Sequence, residues 1–505
     1  MVGLHSRLGR LAIAASTLAI VVSACGGTAT TPAPSVAPAT AAPATAAPTT
    51  EVPSIVAITP EPIADAVGPN GGVVVRWFIG LGGGGKPEQI AAEQKFAADF
   101  NAAQKDAYLS VEIYDNSVAA NQLQIQIAAG NPPDIIGPVG VEGLNIFRDN
   151  LLDLKPLIAS HDFDMTKFDP ALADFFAIGK EGATIGVPYA TYPSFIYYNK
   201  KAFDEAGLPY PPTKVGEQYQ GKAWDMDAMK AVGMKLTVDK NGNDATSASF
   251  DPENIVQWGF DMQWADDRAD TEATIFGSSS VVAADGKTAQ ITPEFTAGLK
   301  WFNDGVWKDH FIPTYPQIQS DLLGKGNPFQ SGNIGMVSTH SWYTCCINPA
   351  APAKPSFSWG VAINPSYNGT ITAKLHADTF SILNTSKNKD QAFEALKALV
   401  ASPELLTNYG AFPADPALQQ PAFDAIQANY PDSKIDFSVM QAMLGYVDKP
   451  NHQAWLPDYQ KSRSALKAVY NKYRTTPGLD IDAELSTLKT TLQGIFDQYH
   501  ASNPQ

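Results

Sequence analysis

Hydrophobic positions in the region that begins near residue 70 follow the order strand, helix, strand, helix, strand. The first run is apolar apart from one arginine, the second run alternates, and glycine- or proline-rich turns separate the segments. Strands that alternate with helices in this way predict a parallel sheet with right-handed crossovers. The predicted elements are strand 73–79, a helix with Ala92, Phe96 and Phe100 on one face, strand 109–114, helix 123–129 and strand 133–136.

The second part of the chain continues this α/β pattern. Residues 334–337 and 359–363 predict further strands, and residues 388–400 predict an amphipathic helix. The last helix has apolar residues at heptad-like spacing, which we interpret as core packing rather than as a coiled-coil partner surface. These residues are Leu485, Leu488, Leu492, Ile495 and Tyr499.

The N-terminus combines two basic residues, a short apolar run and a cysteine. Arg7 and Arg10 precede an apolar run, residues 11–22, that is too short to span a bilayer and ends just before Cys25. This arrangement resembles a bacterial lipoprotein signal, which implies removal of residues 1–24 and acylation of the Cys25 thiol, for example by palmitate. An ordinary secretory signal that contains a cysteine is the alternative.

The segment that follows predicts a tether. Residues 25–70 are rich in Ala, Pro and Thr, so they have little apolar surface to bury and are expected to be disordered. Because no later apolar run reaches about 18 residues, the lipid anchor is the only membrane contact that we expect. The predicted location is extracytoplasmic, at the periplasmic face or the cell surface.

Composition excludes several classes of protein. The chain has 51 acidic and 35 basic residues and a formal charge of -16, which argues against a nucleic-acid partner. Aromatic residues make up 10% of it, which excludes disorder of the whole chain. Three cysteines and seven histidines argue against a disulfide-stapled mini-fold and a zinc scaffold, and we expect no metal and no cofactor.

Four stretches carry a more specific signal. They are AAGNPPDII at 128–136, GVPY at 186–189 with IYYNKKAFDEAGL at 196–208, FQSGNIGM at 329–336, and the segment from Trp359 to NTSKNK at 384–389. In this order they resemble the family-1 extracellular solute-binding proteins of ABC importers, the maltose-binding-protein-like group whose ligands are mainly sugars.

The resemblance implies a type II periplasmic-binding-protein-like fold, with two α/β lobes joined by a hinge and a ligand cleft between them. The lobes would close on a carbohydrate, and an ABC permease would read the closed shape without any bond being made or broken. We expect a monomer with chain crossings near 188–199 and 376–381. The expected N-terminal lobe is 71–190 plus about 381–430, and the C-terminal lobe is about 195–375 plus 431–505.

Sugars present apolar C–H faces and hydroxyl groups, so their sites combine aromatic rings with polar side chains. By matching position, Trp342 corresponds to the family's sugar-stacking aromatic residue. The other candidates lie after predicted strands or at the crossings, and Tyr459 or Trp455 offers a C-terminal platform. Core packing is the alternative for every aromatic residue, and a buried structural role is the alternative for the histidine. The candidate set is Phe78, Tyr189, Tyr192, Trp342, His376, Asp378 and Tyr459.

One departure from the family concerns ligand size. The maltodextrin binders have an aromatic residue after the third strand, where this chain has Gly137 and Pro138. The difference favours a mono- or disaccharide over a long glucan.

Two loops resemble known ion-binding motifs. Residues 80–86 match the start of a nucleotide P-loop, but Pro87 replaces the Ser or Thr that binds Mg²⁺, so we interpret them as a flexible loop before a helix, with an anion site at that helix as the alternative. Residues 239–244 resemble a calcium loop, but Asp244 and Phe250 occupy positions that need Gly and Glu, which favours a surface turn.

Cys345 and Cys346 are adjacent and follow Trp342 closely. Neighbouring Cα atoms stand about 3.8 Å apart, closer than in ordinary disulfides. We hypothesise a vicinal disulfide that stiffens this turn, and two buried free thiols are the alternative.

Two other functions remain open. An exported glycosidase would use paired carboxylates. The candidates for such a pair are Asp261, Asp266 and Asp267, which lie near Trp258 and Trp264 in the sequence. A receptor for peptides or polyamines would also suit an acidic chain. Binding of a sugar without turnover separates the sugar receptor from both.

Overall fold

The computed structural model describes residues 66–178, 182–263, 268–347, 357–409, 412–449, 451–453 and 456–503. The predictions on the signal, on Cys25 and on most of the tether lie outside these residues. Those on Trp264, Asp266, Asp267 and Trp455 also lie outside them. All of the described residues belong to one compact unit, Pro60–Gln505.

Thirteen strands and seventeen α-helices are defined within the described residues. The strands are β1 Val73–Ile79, β2 Ala107–Ile113, β3 Ile135–Val139, β4 Ala177–Ile178, β5 Ala183–Thr184, β6 Val187–Asn199, β7 Val238–Asp239, β8 Ile255–Met262, β9 Ile334–His340, β10 Trp359–Ala362, β11 Ser366–Tyr367, β12 Thr370–Ile371 and β13 Leu375–Ile382.

The helices that follow or connect these strands range from one turn to six turns in length. They are α1 Pro87–Ala103, α2 Asn116–Ala128, α3 Val141–Phe147, α4 Lys155–Ser160, α5 Pro170–Phe175, α6 Lys200–Ala206, α7 Met226–Leu236, α8 Ala269–Thr274, α9 Pro293–Trp307, α10 Tyr315–Ile318, α11 Pro328–Ser331, α12 Lys389–Val400, α13 Pro403–Tyr409, α14 Gln419–Asn429, α15 Ser438–Leu444, α16 Tyr459–Tyr473 and α17 Ile481–Ser502.

Nine strands form one mixed sheet in the order β2-β1-β3-β13-β6-β9-β8-β7, with β10 also paired to β6. We call β2, β1, β3 and β13 the first half-sheet, and β10, β9, β8 and β7 the second half-sheet. Strand β1 pairs in parallel with both β2 and β3, as predicted, whereas β13 is antiparallel to β3. In the second half-sheet β8 and β9 are parallel.

Strand β6 belongs to both halves. Its first part, from Val187 to Pro193, pairs with β13, and its second part, from Ser194 to Tyr198, pairs with β9. All thirteen of its residues are buried. A strand buried on both faces requires helices on both faces, which the amphipathic helices of the α/β pattern provide.

Local sequence explains where the helices begin. Pro87 occupies the first turn of α1, where its missing N–H costs no hydrogen bond, and the Gln89 side chain accepts from the backbone N–H of Lys86. Asn199 ends β6 and caps α6 by accepting from the Ala202 N–H. Within the described residues, the structure contains no helix long and apolar enough to cross a membrane.

Most predicted elements are confirmed, with shifted ends. Strand 73–79 agrees with β1 at both ends, whereas α2 begins at Asn116, seven residues before the predicted helix. The predicted helix 388–400 is α12, and the predicted strand 334–337 extends as β9 to His340. In α17 the three predicted leucines are buried, and Phe496 rather than Tyr499 completes the core stripe.

Candidate functional site

The partners of β6 change between Pro193 and Ser194. Pro193 lies opposite Leu375, the first residue of β13, and Ser194 lies opposite His340, the last residue of β9. The carboxyl end of β9 and the start of β13 therefore meet at the same point along β6. Ligands in α/β proteins bind at such points, outside the carboxyl ends of strands.

Three rings stack at this point. The ring centroids of His340 and His376 lie 4.1 Å apart with an interplanar angle of 27°, and Trp342 stacks on His340 at 5.9 Å and 12°. Trp342 is partly exposed, on the 3₁₀ turn Ser341–Cys345 that follows β9. The position of Trp342 is therefore that of an aromatic platform at a strand end.

A carboxyl group lies beside the rings, two residues along β13 from His376. The Tyr409 hydroxyl donates to Oδ2 of Asp378 over 2.6 Å, and the Tyr192 hydroxyl also hydrogen-bonds the carboxyl. Burial raises the pKa of Asp378 to about 6, although both hydroxyl bonds lower it. Near neutral pH this group is an ionised acceptor on the same face of β13 as His376, the ring at the other end of the stack from Trp342.

We call these six residues the strand-switch site: Tyr192, His340, Trp342, His376, Asp378 and Tyr409. Tyr189 lies next to it, with its ring centroid 5.6 Å from that of Tyr409. The structure thus brings five of the seven candidate residues together. Their contact with a ligand stays a prediction.

The other two candidates lie elsewhere. Phe78 is fully buried and stacks on Tyr114 at 4.8 Å in the core of the first half-sheet. Tyr459 begins α16, where its ring lies 6.0 Å from the guanidinium of Arg268, and it is buried. Neither joins the stacked rings, so packing is the role that their contacts support.

Helix α3, which follows β3 of the first half-sheet, contacts α16. Arg463 Nη1 donates to both carboxylate oxygens of Glu142 over 3.0 Å, and Gln460 donates to the same carboxylate. Nearby, the Asn145 side chain donates to the backbone oxygen of Gln453 over 3.0 Å. These contacts join α3 to α16 and to the segment that precedes it.

A buried ion pair holds the start of β13. Lys374 and Asp448 are both fully buried, and Nζ lies 2.7 Å from Oδ2. The other oxygen of Asp448 accepts from the Leu375 N–H, and the Asn451 side chain donates to the Leu375 oxygen. Because each group is bonded on several sides, this network fixes the backbone that carries His376.

The glycine-rich loop 80–86 leads into α1, as predicted. The N–H groups of Gly84 and Lys86 both donate to Oε1 of Gln89, and a Cβ at Gly84 would meet the Glu93 carboxyl at 2.6 Å. An anion would need free N–H donors, whereas these amides already donate to Gln89 and a carboxyl lies beside them. The contacts therefore argue against an anion site at this loop.

The loop at 239–244 is a turn built around one carboxylate. Asp239 accepts from the backbone N–H groups of Asn241, Asn243 and Asp251 and from the Asn243 side chain. Desolvation raises the pKa of Asp239, but these hydrogen bonds outweigh it and lower the pKa to about 2. Among the described residues no group of three or more acidic, histidine or cysteine side chains is arranged to hold a metal ion.

Asp261, a candidate for a glycosidase carboxylate pair, forms an ion pair with Arg474. Arg474 Nη2 lies 2.9 Å from Asp261 Oδ1 and 2.8 Å from Glu272 Oε1, and all three side chains are buried. Tyr473 donates its hydroxyl to Glu272. Both carboxylates serve this internal network, which leaves neither as a free acid or base.

A cavity of about 280 Å³ lies at the carboxyl end of β8. It is lined by Gln263, Asn327 and Tyr470, among others, and Gln263 donates to Asn327 over 2.8 Å. Asn327 also accepts from the Tyr343 hydroxyl over 2.6 Å, so the cavity adjoins the 3₁₀ turn that carries Trp342.

Cys346 is disulfide-bonded. The side chain of Cys345 lies outside the described residues, so the vicinal pairing stays a prediction. The cysteine is four residues beyond Trp342, in the turn that carries the aromatic platform.

Sequence reasoning missed Tyr409, His340, Glu93 and the Glu142–Arg463 contact as functional candidates. His340 lies two residues before Trp342 and ends β9, so its closeness in sequence to Trp342 is the signal that could have found it. Tyr409 and Glu93 reach the site from helices distant in sequence, and no motif marks them.

Comparison with known proteins places these features in a family. The model of the bacterial extracellular solute-binding proteins matches residues 95–428. The sn-glycerol-3-phosphate-binding periplasmic protein UgpB of Salmonella paratyphi A is 31% identical over 151 residues, which are 28% of this chain and 32% of that protein. The chain thus spans about a third of the length of this curated relative.

Solved structures show the same fold. An ABC substrate-binding protein from Listeria monocytogenes in complex with cycloalternan has a TM-score of 0.60 and 19% identity and covers 85% of this chain and 98% of its own. The GacH receptor of Streptomyces glaucescens, solved unliganded and with acarbose, has a TM-score of 0.61 and 15% identity, with coverage of 84% and 99%. The predicted two-lobe α/β fold is confirmed. Because the family model spans more than half of its length, the chain belongs to the bacterial extracellular solute-binding proteins.

Proposed function

We propose that this protein is the extracytoplasmic receptor of an ABC importer and that it binds a carbohydrate at the strand-switch site. The observation that carries the proposal is the stack of Trp342 on His340 and His376 beside the Asp378 carboxyl. A sugar ring has apolar C–H faces for the indole and hydroxyl groups that donate to a carboxylate.

The ligand would contact both half-sheets. Tyr192 and Asp378 belong to the part of the sheet that includes β13, and Trp342 follows β9 on the other side of the strand switch. A ligand that touches both sides favours the closed arrangement by its differential affinity. The contact between Glu142 and Arg463 supports that arrangement, since α3 belongs to the expected N-terminal lobe and α16 to the expected C-terminal lobe.

The rest of the proposal follows the sequence. A lipid on Cys25 anchors a monomer outside the cytoplasm, and the lobes comprise 71–190 with about 381–430, and about 195–375 with 431–505. The closed receptor delivers its ligand to the permease, and no bond of the ligand is made or broken.

The names of the similar proteins bear on the class of ligand. Two solved neighbours bind cycloalternan and acarbose, which supports a carbohydrate. UgpB is named for sn-glycerol 3-phosphate, but a phosphate at the strand-switch site would lie beside the Asp378 carboxyl, and like charges repel. A ligand without a phosphate therefore fits this site better.

The test is a ligand panel on the full-length protein, with calorimetry and thermal unfolding as readouts. A mono- or disaccharide is expected to bind saturably and to be recovered unchanged. Trp342→Ala should weaken that binding at least about tenfold, because the ring face is lost. Tyr210→Ala removes an exposed aromatic ring elsewhere and should leave affinity unchanged.

Two results would overturn the proposal. Release of a cleaved product would identify a hydrolase. Stabilisation by a peptide or by spermidine, with no response to any sugar, would identify a receptor for that other class.

A further inference from the structure

A small cavity lies beneath the glycine-rich loop, next to the strand-switch site. Its volume is about 10 Å³, which is room for one water-sized group. Four aromatic rings and one carboxyl contribute to its wall, and none of the described residues that line it carries a positive charge. The lining residues are Trp77, Gln89, Ala92, Glu93, Pro138, Tyr189, Phe380, Leu405, Asn408 and Tyr409.

The carboxyl of Glu93 has an unused acceptor in this cavity. The residue is 5% exposed, and no donor among the described residues lies within hydrogen-bond distance of its Oε2. Burial raises the pKa of Glu93 to about 8. A buried carboxyl without a partner is costly to ionise unless a cation or donors accompany it.

The cavity and the strand-switch site share one side chain. Tyr409 lines the cavity and donates its hydroxyl to Asp378 over 2.6 Å. A Cβ at Gly83 would meet the Tyr409 ring at 2.2 Å, so the loop lies directly on that ring. A single aromatic residue thus links the two buried carboxyls, Glu93 and Asp378.

We propose that this cavity is a cation site in which Glu93, among the rings of Trp77, Tyr189 and Tyr409, receives the ammonium group of an amine-bearing ligand. An ammonium group has the size of a water molecule, donates to a carboxylate and is attracted to aromatic rings. The inference refines the proposed function: the hydroxyl groups of an amino sugar would bind at the strand-switch site, and its amine would bind at Glu93.

The first test uses methylammonium chloride, whose amine stays charged at neutral and mildly alkaline pH. The full-length protein is titrated at pH 8.5 against NaCl of equal ionic strength, with tryptophan fluorescence as readout, since Trp77 lines the cavity. We expect saturable binding that weakens at least tenfold at pH 6. At that pH the Glu93 carboxyl is protonated, and the groups that face it, Gln89, Tyr189 and Tyr409, stay neutral.

The variant Glu93→Gln keeps the shape and removes the charge. It should lose at least tenfold in methylammonium affinity and keep the thermal midpoint of the wild type or exceed it, because an ionisable group leaves a buried position. Glu404→Gln is the matched control: this exposed residue of α13 bonds Lys95 and does not line the cavity. Equal affinity of Glu93→Gln and the wild type would overturn the inference.

A second test separates the inference from the proposed function. D-glucosamine is compared with D-glucose in the wild type and in Glu93→Gln. We expect the variant to lose the preference for the amine and to bind glucose as the wild type does. Sugar binding without any amine response would refute the cation site and leave the proposed function standing. An amine response without sugar binding would support the cation site and refute the proposed function.

Discussion

Each half-sheet contributes one buried carboxyl that lies near a second one from a helix, and the two pairs meet different partners. Asp261 and Glu272 share the guanidinium of Arg474 at 2.9 and 2.8 Å. Glu93 and Asp378 are also buried, but Asp378 is held by tyrosine hydroxyls, and Oε2 of Glu93 has no donor among the described residues.

The difference separates structural carboxylates from available ones. The guanidinium of Arg474 pairs with both carboxylates of the first pair and ties the end of α16 to β8. Neutral donors leave the second pair with acceptor capacity that a ligand can use. The residue type alone therefore does not tell which buried acid serves the fold, whereas its partners do.

The largest expected effect is on the Arg474 side. Arg474→Met would leave two buried carboxylates without a cation, which costs about 3–5 kcal/mol of unfolding free energy. Urea denaturation at pH 7 measures the loss. The control is Lys300→Ala, which breaks an exposed ion pair with Asp482 and should cost about 0–1 kcal/mol. A loss as small as that of the control would show that the guanidinium is not what distinguishes the two pairs.

Asp378→Asn should raise the free energy of unfolding, whereas Arg474→Met lowers it. Burial raises the folded-state pKa of Asp378 from an ordinary value of about 4 to about 6. Its ionisation therefore costs stability that the protein retains below pH 4 and loses as the pH rises through 6. The variant should therefore match the wild type below pH 4 and exceed it by about 1–3 kcal/mol at pH 8. Urea denaturation across this range tests the expectation.

Asp285 provides a control whose pKa is shifted in the opposite direction. Hydrogen bonds from Thr288 and from two backbone amides lower the pKa of Asp285 to about 2, so that its contribution to stability is present above pH 4 and disappears as the pH falls. Asp285→Asn should destabilise the protein at pH 7. If both variants changed stability in the same direction, the contrast between the two kinds of carboxyl would fail.

Ligand affinity should depend on the same group. Sugar hydroxyls donate to the ionised form of Asp378, so affinity should fall by about tenfold for each pH unit below 6. Calorimetry at pH 5, 6 and 7 measures this, with Asp378→Asn as the variant that removes the dependence. A flat profile in the wild type would place the hydroxyl groups of the ligand away from Asp378.

The smallest effect is expected at the contact between α3 and α16. Glu142 and Arg463 are partly exposed, so Glu142→Gln should cost about 0–1 kcal/mol of ligand affinity, less than about fivefold. Calorimetry with the preferred sugar measures the change. A larger loss would mean that Glu142 contacts the ligand itself.

The first strand and the family stretches could be predicted because their information is local. Strand β1 is an uninterrupted apolar run, and its boundaries agree with the structure. The start of α2 was missed because residues 116–122 are mostly polar and mark no apolar face, although Asp115 caps the helix.

The site was harder to predict because its members come from separate segments. Trp342 and Asp378 were found through the resemblance to a family and through positions near strand ends. Tyr409 comes from the end of α13 and Glu93 from the second turn of α1, and only packing brings their side chains to β13 and to the glycine-rich loop. Phe78 shows another difficulty: its strand-end position suggested a site residue, whereas in the structure its ring is buried and stacks on Tyr114.

The thirteen residues of β6 extend about 43 Å as one unbroken strand. Any movement of one half-sheet relative to the other must bend β6 where its partner changes from β13 to β9, at Pro193 and Ser194. Points near the bend move least, so the rings and the carboxyl would shift by short distances on closure, and the helices far from the bend would move most. Spectroscopic probes on α3 and α16 would therefore report the movement, and the fluorescence of Trp342, which lies near the bend, would report ligand binding.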